Sequence, residues 1–297
     1  MALAALSGDE QLVIFSQLCN VLDPGVAVAF ASVNSELREL TQAPRQQLQA
    51  DHEAAAALGR KAGKRGCKGL REAKRVVWYG TGLSANDLTS DKLALVGTLG
   101  SVLPALKELH LSEPAAGPDG VRQLAKGLGA GALPAVTKLH ITRTHWIRAM
   151  HVGDAGASAL AAALGQGALP RLKRLSLSTA AIGDAGLVAL APALRRLPAL
   201  EGLDFFNNPL GDEGLAALVA PPPPAGAPPP TTGGLAQLTE LYLDYTQVTD
   251  AGFATLAAAL NSGALPALEK LALQGIPASA AAKAAVYAAR ANLQGGR

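Results

Sequence analysis

Residues 169–194 read LPRLKRLSLSTAAIGDAGLVALAPAL, and this stretch carries the signals of a strand followed by a helix. In its first part, Leu175 and Leu177 alternate with polar residues at strand spacing, and Leu172 precedes them. Alternation of this kind places the leucines on one face of a strand and Arg174 with the neighbouring serines on the other. The stretch therefore predicts a strand with a buried leucine face and a polar outer face.

The second part of the same stretch predicts a helix. Leu187, Leu190 and Leu194 recur at i, i+3 and i+7, which forms an apolar stripe along one side of a helix. Ile182 is expected to close the preceding turn, and Asp184 is well placed to be the N-cap of the next helix. Three other copies of the phrase carry the same aspartate, at Asp154, Asp212 and Asp250.

The strand phrase occurs six times. Its copies begin at Leu103, Leu133, Leu169, Leu197, Leu235 and Leu265, and a weaker seventh copy with Ala73, Val76 and Trp78 precedes them. A strand–helix unit of this size cannot bury its apolar face alone, so repeated units stack against their neighbours. The repetition predicts a solenoid rather than a single globular core.

The repeat resembles the ribonuclease-inhibitor type of leucine-rich repeat over roughly residues 70 to 290. The resemblance implies an α/β leucine-rich-repeat horseshoe of about seven strand–helix repeats, with the strands lining its concave side. One departure concerns the turn position that the family fills with Asn or Cys, where Asn208 is the one asparagine. The other copies carry Thr81, Pro114, Thr144, Ala180, Thr246 and Ile276 there, so some turn hydrogen bonds are expected to be missing.

Three segments are expected along the chain. Residues 1–58 are non-repetitive and predicted helical, 59–69 (GRKAGKRGCKG) form a basic Gly-rich joint, and 70–297 form the leucine-rich repeat domain. A Pro-rich insertion at 221–234 excludes helix and central strand, and it is either a ligand for an SH3-type groove or a tolerated loop. The insertion around Trp146 is either an exposed anchor or a segment folded back on the solenoid.

Composition narrows the class of protein. The net charge of +3 is too small to imply nucleic acid or an anionic membrane as the main partner. The two cysteines match no metal or redox spacing, and no apolar run reaches the ~18 residues of a membrane span. The opening residues also lack the basic start of a signal peptide. These features predict a cytoplasmic protein, with the nucleus as the alternative location. The protein is also expected to be a monomer.

The outward-facing strand side chains, here called the concave wall, should line up from repeat to repeat about 5 Å apart. The first column of the wall consists of Arg75, Glu108, Lys138, Arg174, Gly202, Glu240 and Lys270. The second column consists of Val77, His110, His140, Ser176, Asp204, Tyr242 and Ala272. The third column includes Tyr79, Ser112, Thr142, Ser178, Phe206, Asp244 and Gln274. The middle repeats are basic, and the later ones are acidic and aromatic.

A polar wall with exposed aromatic residues is typical of protein recognition. The candidate partner-binding residues are His110, Lys138, His140, Arg143, Arg174, Asp204, Phe206, Glu240, Tyr242, Asp244 and Tyr245. The alternative interpretation is that these charges only solvate the wall and pair across strands, as Glu108 and Lys138 would.

The sequence predicts no enzyme, no catalytic residue, no metal site and no cofactor. Ser176 would separate His140 from Asp204, whereas the acid of a catalytic triad must orient the histidine. His110 beside His140 could hold a metal, but a solvated pair is favoured. The segment GRKAGKRG lacks P-loop spacing. The basic residues between 60 and 75 indicate either a solvated linker or a nuclear-import or nucleic-acid patch, of which the linker is preferred.

The first forty residues resemble an F-box, the helical module that binds the Skp-family adaptor of cullin–RING ubiquitin ligases. The matching positions are Glu10, Ile14, Phe15, Leu18, Leu22-Asp23-Pro24, Ala31-Ser32-Val33-Asn34, Arg38 and Leu40, while Ser7-Gly8 and Leu37 depart from the pattern. The resemblance implies that Leu12, Phe15, Leu18 and Val33 contact the adaptor. The alternative is a helical cap that shields the first repeat.

Three functions follow from these patterns. The first is non-catalytic protein recognition by the concave wall, in its most specific form as the substrate-recognition subunit of a cullin–RING ubiquitin ligase. The second is a scaffold or inhibitor protein resembling ribonuclease inhibitor. The third is a GTPase-activating protein of the Ran type, which shares this repeat but has an acidic tail that is not seen here.

Overall fold

The computed structural model describes residues 6–79, 89–99, 103–112, 117–142, 152–219 and 234–295. Within these ranges a parallel sheet of eight strands follows chain order from β1 to β8. The strands are β1 (Arg75–Tyr79), β2 (Glu108–Ser112), β3 (Lys138–Thr142), β4 (Arg174–Ser176), β5 (Gly202–Asp204), β6 (Glu240–Tyr242), β7 (Lys270–Ala272) and β8 (Gln294–Gly295).

A helix follows each of the first seven strands, which confirms the predicted strand–helix repeat. These helices are α6 (Ser90–Leu99), α7 (Gly117–Gly127), α8 (Gly153–Gly165), α9 (Asp184–Leu194), α10 (Asp212–Val219), α11 (Asp250–Asn261) and α12 (Ala280–Ala288). Each helix packs on the helix of the next repeat, as each strand pairs with the next strand. The fold is an α/β leucine-rich-repeat solenoid with an open sheet.

The leucine columns predicted from the repeat form the core. Leu172, Leu175 and Leu177 are at most 2% exposed, and the helical leucines of the same repeat are completely buried. Trp78 occupies the same buried position in the first, weaker repeat. Since burial of one leucine stabilises a fold by about 1.5–3 kcal/mol, these columns are the main source of stability.

The aspartates that recur in the repeats act differently from the prediction that each caps a helix through its own first turn. Asp184 is the first residue of α9, and its Oδ1 accepts the backbone N–H groups of Gly211 and Gly214 at 2.6 and 2.9 Å. Both glycines belong to the start of α10 in the next repeat. The prediction named the wrong helix, because the outward-facing Asp184 side chain at the start of α9 reaches the start of α10 in the neighbouring repeat.

The same contact recurs along the stack, and we call this row of side chains the aspartate ladder. Asp154 bonds Gly183 N, Asp212 bonds Thr249 N and its hydroxyl, and Asp250 bonds Ser279 N. Each of these aspartates thus accepts a backbone N–H at the start of the next helix, where intrahelical partners are lacking. The ladder therefore joins consecutive repeats on the helix side.

The second glycine of the G-D-A-G phrase makes room for the ladder. A Cβ atom on Gly186 would lie 2.5 Å from Asp154 Oδ1, and one on Gly214 would lie 2.7 Å from Asp184 Oδ1. Real Cβ atoms do not approach an oxygen so closely. The aspartate of one repeat and the glycine of the next therefore form one unit of the stack.

Asn208 makes the turn hydrogen bonds that the family position is expected to make. Its side chain accepts from the backbone N–H groups of Ala180 and Ile182 and donates to the carbonyl oxygens of Leu177 and Phe205. Thr246 fills the equivalent position in the next repeat, and its hydroxyl donates to Leu243 O. The expected loss of turn hydrogen bonds is therefore visible at this pair of positions.

One position in the later turns has a left-handed backbone in four consecutive repeats. It is occupied by Thr179, Asn207, Tyr245 and Gly275, with φ values of 56, 52, 56 and 64°. Asparagine and glycine adopt this conformation readily, whereas it is strained for a threonine or a tyrosine. The fold therefore imposes this backbone on residues that do not favour it.

The N-terminal residues form five helices: α1 (Gly8–Leu18), α2 (Gly25–Ala31), α3 (Ser35–Leu40), α4 (Gln42–Lys61) and α5 (Gly66–Arg71). Ser7 and Glu10 form a capping box at the start of α1. Helix α4 runs past residue 58, and α5 occupies much of the segment 59–69 expected to be a joint. The sequence boundary at 58 therefore lies inside a helix.

The N-terminal helices contribute side chains to two separate apolar clusters. Phe15, Ala27, Ala31 and Leu48 form a small cluster of their own. Leu22, Ala55, Leu58 and Cys67 belong instead to the continuous core of the repeats. The indole Nε1 of Trp78 also donates to the carbonyl oxygen of Leu58 at 3.0 Å. The end of α4 is therefore built into the first repeat.

Some predictions fall outside the described ranges. Arg143, the insertion around Trp146 and nearly all of the Pro-rich insertion 221–234 lie there, as do the turn positions Thr81, Pro114 and Thr144. Among the helices that are described, none combines the length and apolar character needed to cross a membrane.

Candidate functional site on the concave wall

The strand register builds the concave wall as predicted. The pairings Arg75↔Glu108, Glu108↔Lys138 and Lys138↔Arg174 continue through Gly202 and Glu240 to Lys270. The second column runs from Val77 to Ala272 in the same register. Side chains two residues apart along a strand therefore lie in parallel rows across the sheet.

Glu108 is the centre of an ion-pair cluster at the amino-terminal end of the wall. Its carboxylate lies 2.7 Å from Lys138 Nζ and 3.5 Å from Arg75 Nε. The hydrogen bond from Lys138 is the largest effect that holds the pKa of Glu108 below its usual value, and it outweighs the opposing effect of burial. The predicted pairing of Glu108 with Lys138 is thus confirmed.

His110 and His140 stack face to face beside this cluster. Their ring centroids are 4.1 Å apart, and the ring planes differ by 11°. Burial, followed by the neighbouring His110, lowers the pKa of His140 to about 4, and burial also lowers the pKa of His110. Both rings are therefore neutral at pH 7.

The histidine pair does not resemble a metal site. Stacked rings turn their faces to each other, whereas a shared metal needs ring nitrogens that converge on one point. Within the described ranges, no group of three or more His, Cys, Asp or Glu side chains could hold a metal ion.

Ser176 and Asp204 are in direct contact. The Ser176 hydroxyl donates to Asp204 Oδ2 at 2.7 Å, and Asp204 Oδ1 accepts the backbone N–H of Phe206 at 2.9 Å. His140 lies on the far side of Ser176 in the strand register. The order His–Ser–Asp predicted from the sequence is confirmed, and it does not place a histidine between nucleophile and acid.

Glu240 is the centre of a second ion-pair cluster and is only 8% exposed. It accepts hydrogen bonds from Arg174 Nη1 at 2.7 Å, from Lys270 Nζ at 3.1 Å and from the Tyr242 hydroxyl at 3.3 Å. Burial alone would raise the pKa of Glu240, but the bonds from Arg174 and Lys270 outweigh it and lower that pKa. Glu240 is therefore held by its own chain.

The bond between Arg174 and Glu240 passes over an intervening strand. Arg174 is on β4 and Glu240 on β6, and Gly202 occupies the position between them on β5. A Cβ atom on Gly202 would lie 3.2 Å from Arg174 Cγ. The absence of a side chain at residue 202 therefore lets the arginine lie flat across the sheet.

Phe206 and Tyr245 are exposed aromatic residues at the carboxyl-terminal side of the wall. Their rings meet edge to face with centroids 5.3 Å apart, and the two residues are 37% and 45% exposed. Beneath them the carboxylate of Asp244 is buried and accepts the backbone N–H of Gln274 at 2.7 Å. This pair is the most apolar exposed part of the described wall.

The residues predicted to bind a partner on the concave wall therefore differ in how exposed they are and in whether they are already paired. Glu240 and Asp244 are buried and bonded within the chain, whereas Lys138 and Arg174 are half-exposed but paired with carboxylates. Phe206 and Tyr245 form the exposed pair. The importance of Gly275 was missed: its Cβ position lies 2.5 Å from the Tyr245 ring, so that ring rests on the Gly275 backbone.

The residues predicted to contact an adaptor occupy different environments. Phe15 is 1% exposed and packs inside the small N-terminal cluster, with Leu18 partly buried against it. Leu12 is partly buried, and Val33 is 62% exposed. Sequence reasoning missed three further exposed valines of α1 and α2, which are Val13, Val26 and Val28.

The same N-terminal helices enclose a cleft of about 740 Å³. Val28 and Leu48 contribute apolar lining, and Arg38, Arg45 and His52 contribute polar lining. Arg45 is held within the chain, since its Nη2 donates to the carbonyl oxygen of Arg38 at 2.9 Å. No sequence motif indicated this cleft, because its lining comes from three separate helices.

Comparison with known proteins identifies the repeats. Residues 169–191 and 198–219 match the family model described as "Leucine Rich repeat". No curated protein matches the chain. The fold is similar to internalin C2 from Listeria monocytogenes, with 19% identity over 81% of this chain and 80% of that one and a TM-score of 0.45.

Two further solved structures are also similar to the chain. The tropomodulin C-terminal domain of Caenorhabditis elegans is 17% identical over 67% of this chain and 90% of that one, with a TM-score of 0.38. The actin-binding site 2 of leiomodin-1 is 17% identical over 46% of this chain and 70% of that one, with a TM-score of 0.34.

Proposed function

We propose that this leucine-rich-repeat chain is a non-catalytic protein-recognition molecule whose concave wall holds a protein ligand. The observation that carries the proposal is the exposed Phe206–Tyr245 pair, which lies just past the ends of β5 and β6 on a wall where Glu108 and Glu240 are paired with cations of the chain. Exposed aromatic residues on a rigid sheet lose little entropy on binding and are frequent hot spots of protein interfaces.

The paired charges support recognition rather than chemistry. Glu108 and Glu240 are each neutralised by two cations of the chain, and Asp204 holds Ser176. Groups fixed in this way present a rigid pattern of polar atoms to a partner without needing to reorganise. They do not supply a free base beside a nucleophile.

Site-directed photocrosslinking tests the proposal. A photoreactive phenylalanine analogue is placed at Tyr242 on the concave wall and, as a control, at Val188, an exposed valine on the helix side. We expect one protein partner to crosslink from Tyr242 and not from Val188. That partner is then purified, and its dissociation constant is measured for the native chain and for Phe206→Ser. Equal crosslinking from both positions, or an unchanged dissociation constant, would reject the concave wall as the binding face.

A second function is favoured by the N-terminal helices. Helices α1–α3 with the start of α4 have their own apolar cluster and expose Val13, Val26, Val28 and Val33, while the end of α4 is part of the repeat core. We propose that α4 caps the solenoid and that the exposed valines bind a Skp-family adaptor. The chain would then select substrates for a cullin–RING ubiquitin ligase.

Copurification with a Skp-family adaptor tests this second function. The variant Val13→Asp/Val33→Asp removes exposed side chains and should retain the fold, whereas substitution of the buried Phe15 would disrupt the cluster itself. We expect the native chain to copurify and the double variant, with unchanged circular dichroism, to lose the adaptor. If the folded native chain does not copurify, the scaffold or inhibitor role remains, and stimulated GTP hydrolysis by a Ran-type GTPase would indicate the third candidate.

A further inference from the structure

Two carboxylates that are not paired with a cation among the described residues, Asp204 and Asp244, lie beside the Phe206–Tyr245 pair. Asp204 is bonded to the Ser176 hydroxyl and to the Phe206 backbone, and Asp244 is bonded to the Gln274 backbone. All of these donors are neutral. In the described part of the chain, no lysine, arginine or histidine nitrogen lies within the 4.0 Å of a salt bridge from either carboxylate.

Two cations in this part of the wall already pair with another carboxylate. Arg174 and Lys270 both bond Glu240, which lies two residues before Tyr242 in the first column. Three carboxylates, from Asp204, Glu240 and Asp244, therefore face two cations in this part of the wall. The carboxylates that pair with neither cation, Asp204 and Asp244, lie on the carboxyl-terminal side of the wall, where the aromatic rings are exposed.

The two carboxylates contribute differently. Asp204 is partly exposed, and each of its oxygens accepts one hydrogen bond, so it retains capacity for a further donor. Asp244 is 6% exposed, so it contributes its charge rather than a contact. A cation above the rings would thus contact the Asp204 carboxylate directly and would be attracted by the charge of Asp244 without contacting it.

We propose that the Phe206–Tyr245 pair and Asp204 form a site for an arginine side chain of the protein ligand. This inference rests on the proposed function and specifies the chemistry of the partner. A guanidinium stacks flat on an aromatic ring while its edge N–H groups donate to a carboxylate, and it loses less hydration than an ammonium on burial. Arginine therefore suits this arrangement better than lysine.

The backbone holds the site in position before the ligand arrives. Tyr245 has a left-handed φ of 56°, its ring rests on Gly275, and it meets the Phe206 ring edge to face. Asp204 in turn bonds the backbone N–H of Phe206. Ring and carboxylate are thus fixed relative to each other, which lowers the entropy lost on binding.

NMR titration of the intact chain tests the site with small probes. Nα-acetyl-arginine methylamide is the test probe, and the citrulline counterpart has the same shape without the charge. We expect the signals of Phe206, Tyr245 and Gly275 to shift with the arginine probe and to saturate at millimolar concentration. The citrulline probe should bind at least about tenfold more weakly, because it lacks the charge that both cation–π stacking and ion pairing require.

Variants assign the binding to these residues. Asp204→Asn and Tyr245→Asn should each weaken the arginine probe by about threefold or more, and asparagine accepts the left-handed backbone of residue 245. The control Glu213→Gln removes an exposed carboxylate from the helix side and should leave the titration unchanged. Equal binding of citrulline and arginine, absence of shifts at the aromatic pair, or an unaltered titration of Asp204→Asn would overturn the inference.

The two proposals fail separately. If the crosslinked partner binds the concave wall but the arginine probe leaves the aromatic pair unchanged, protein recognition stands and the arginine site is rejected. If the partner crosslinks from the helix side only, the concave wall is rejected as the binding face, and the arginine site loses its role with it.

Discussion

At the scale of single residues, the left-handed turn position is where the fold and the local preference of the sequence disagree. Thr179 and Tyr245 occupy the conformation that Asn207 and Gly275 adopt in the same column of turns. A left-handed backbone costs a residue with a Cβ atom roughly 1–2 kcal/mol, and more for a β-branched one. At Tyr245 the strained backbone coincides with an exposed ring of the candidate site, whereas Thr179 has no such role.

We expect Thr179→Asn to stabilise the protein by about 1 kcal/mol, because asparagine tolerates the left-handed backbone that threonine does not. Urea unfolding followed by circular dichroism measures the change in the free energy of unfolding. Ser178→Asn is the matched control, since that neighbouring residue does not have a positive φ. A Thr179→Asn midpoint at or below that of the native chain would show that the turn is not strained.

The stacked histidines make stability depend on pH. The pKa of His140 is about 4 in the folded protein, below the ordinary value of 6.5, so the unfolded chain binds the proton more readily. The contribution of His140 to stability is therefore expected to be complete above pH 6.5 and to be lost as the pH falls from 6.5 towards 4. The groups facing the pair are Glu108, Asp204, Lys138 and Arg75, of which the cations oppose protonation and the carboxylates favour it.

We expect the free energy of unfolding to fall between pH 7 and pH 5, and His140→Gln to reduce this fall. Urea unfolding at pH 7, 6 and 5 provides the measurement, and the comparison within each variant separates the slope from any change in absolute stability. His52→Gln is the control, because that histidine lies in the N-terminal helices and bonds Val21 O. The same slope in native and His140→Gln chains would exclude the stacked pair as the source.

At the scale of helices and strands, the aspartate ladder explains the G-D-A-G phrase. Strand register and the buried columns could be predicted, because both depend on alternation within one repeat. The ladder could not, because it joins an aspartate of one repeat to a glycine of the next, such as Asp184 to Gly214. The burial of Glu240 was missed for the same reason: it depends on Arg174 passing over Gly202.

The ladder predicts that Gly214→Ala is destabilising. In an ordinary helix position this change would stabilise by about 1 kcal/mol. Here the new Cβ would lie 2.7 Å from Asp184 Oδ1, so we expect a net loss of about 1–2 kcal/mol. The free energy of unfolding in urea is the measurement.

A double-mutant cycle identifies the contact. Asp184→Ala alone should destabilise by about 1 kcal/mol through loss of the hydrogen bonds to the start of α10. In the Asp184→Ala background, Gly214→Ala should cost less than it does alone, because the clash partner is gone. Additive effects of the two changes would mean that the glycine is needed for another reason.

At the scale of the whole molecule, the described ranges form one continuous repeat core and one small N-terminal cluster. The F-box resemblance covers the helices of the small cluster, whereas Trp78 and Leu58 tie the end of α4 to the repeats. The division between these two parts could not be predicted, since no change in composition marks it. Helix α4 contributes Leu48 to the small cluster and Ala55 and Leu58 to the repeat core.

Two truncations test this division. A chain that starts at residue 42 keeps Leu58 under Trp78, and we expect it to unfold cooperatively with reduced stability. A chain that starts at residue 73 loses that partner and exposes the indole and its N–H, and we expect it to unfold at a clearly lower temperature or to aggregate. Thermal unfolding followed by circular dichroism compares the two. Equal melting temperatures would mean that α4 does not stabilise the repeats.

The reach of Arg174 over Gly202 has a consequence for how the stack opens. In a linear array whose units contact only their neighbours, an opening can begin at an end and advance one unit at a time. A bond from β4 to β6 skips one unit, so we expect β5 to be released together with the strands on either side of it. The three strands should thus exchange their amide hydrogens as a single cooperative block, and Arg174→Ala should divide that block into separately opening units. The wall that we propose as the ligand-binding face would then also be the part of the molecule that resists opening one repeat at a time.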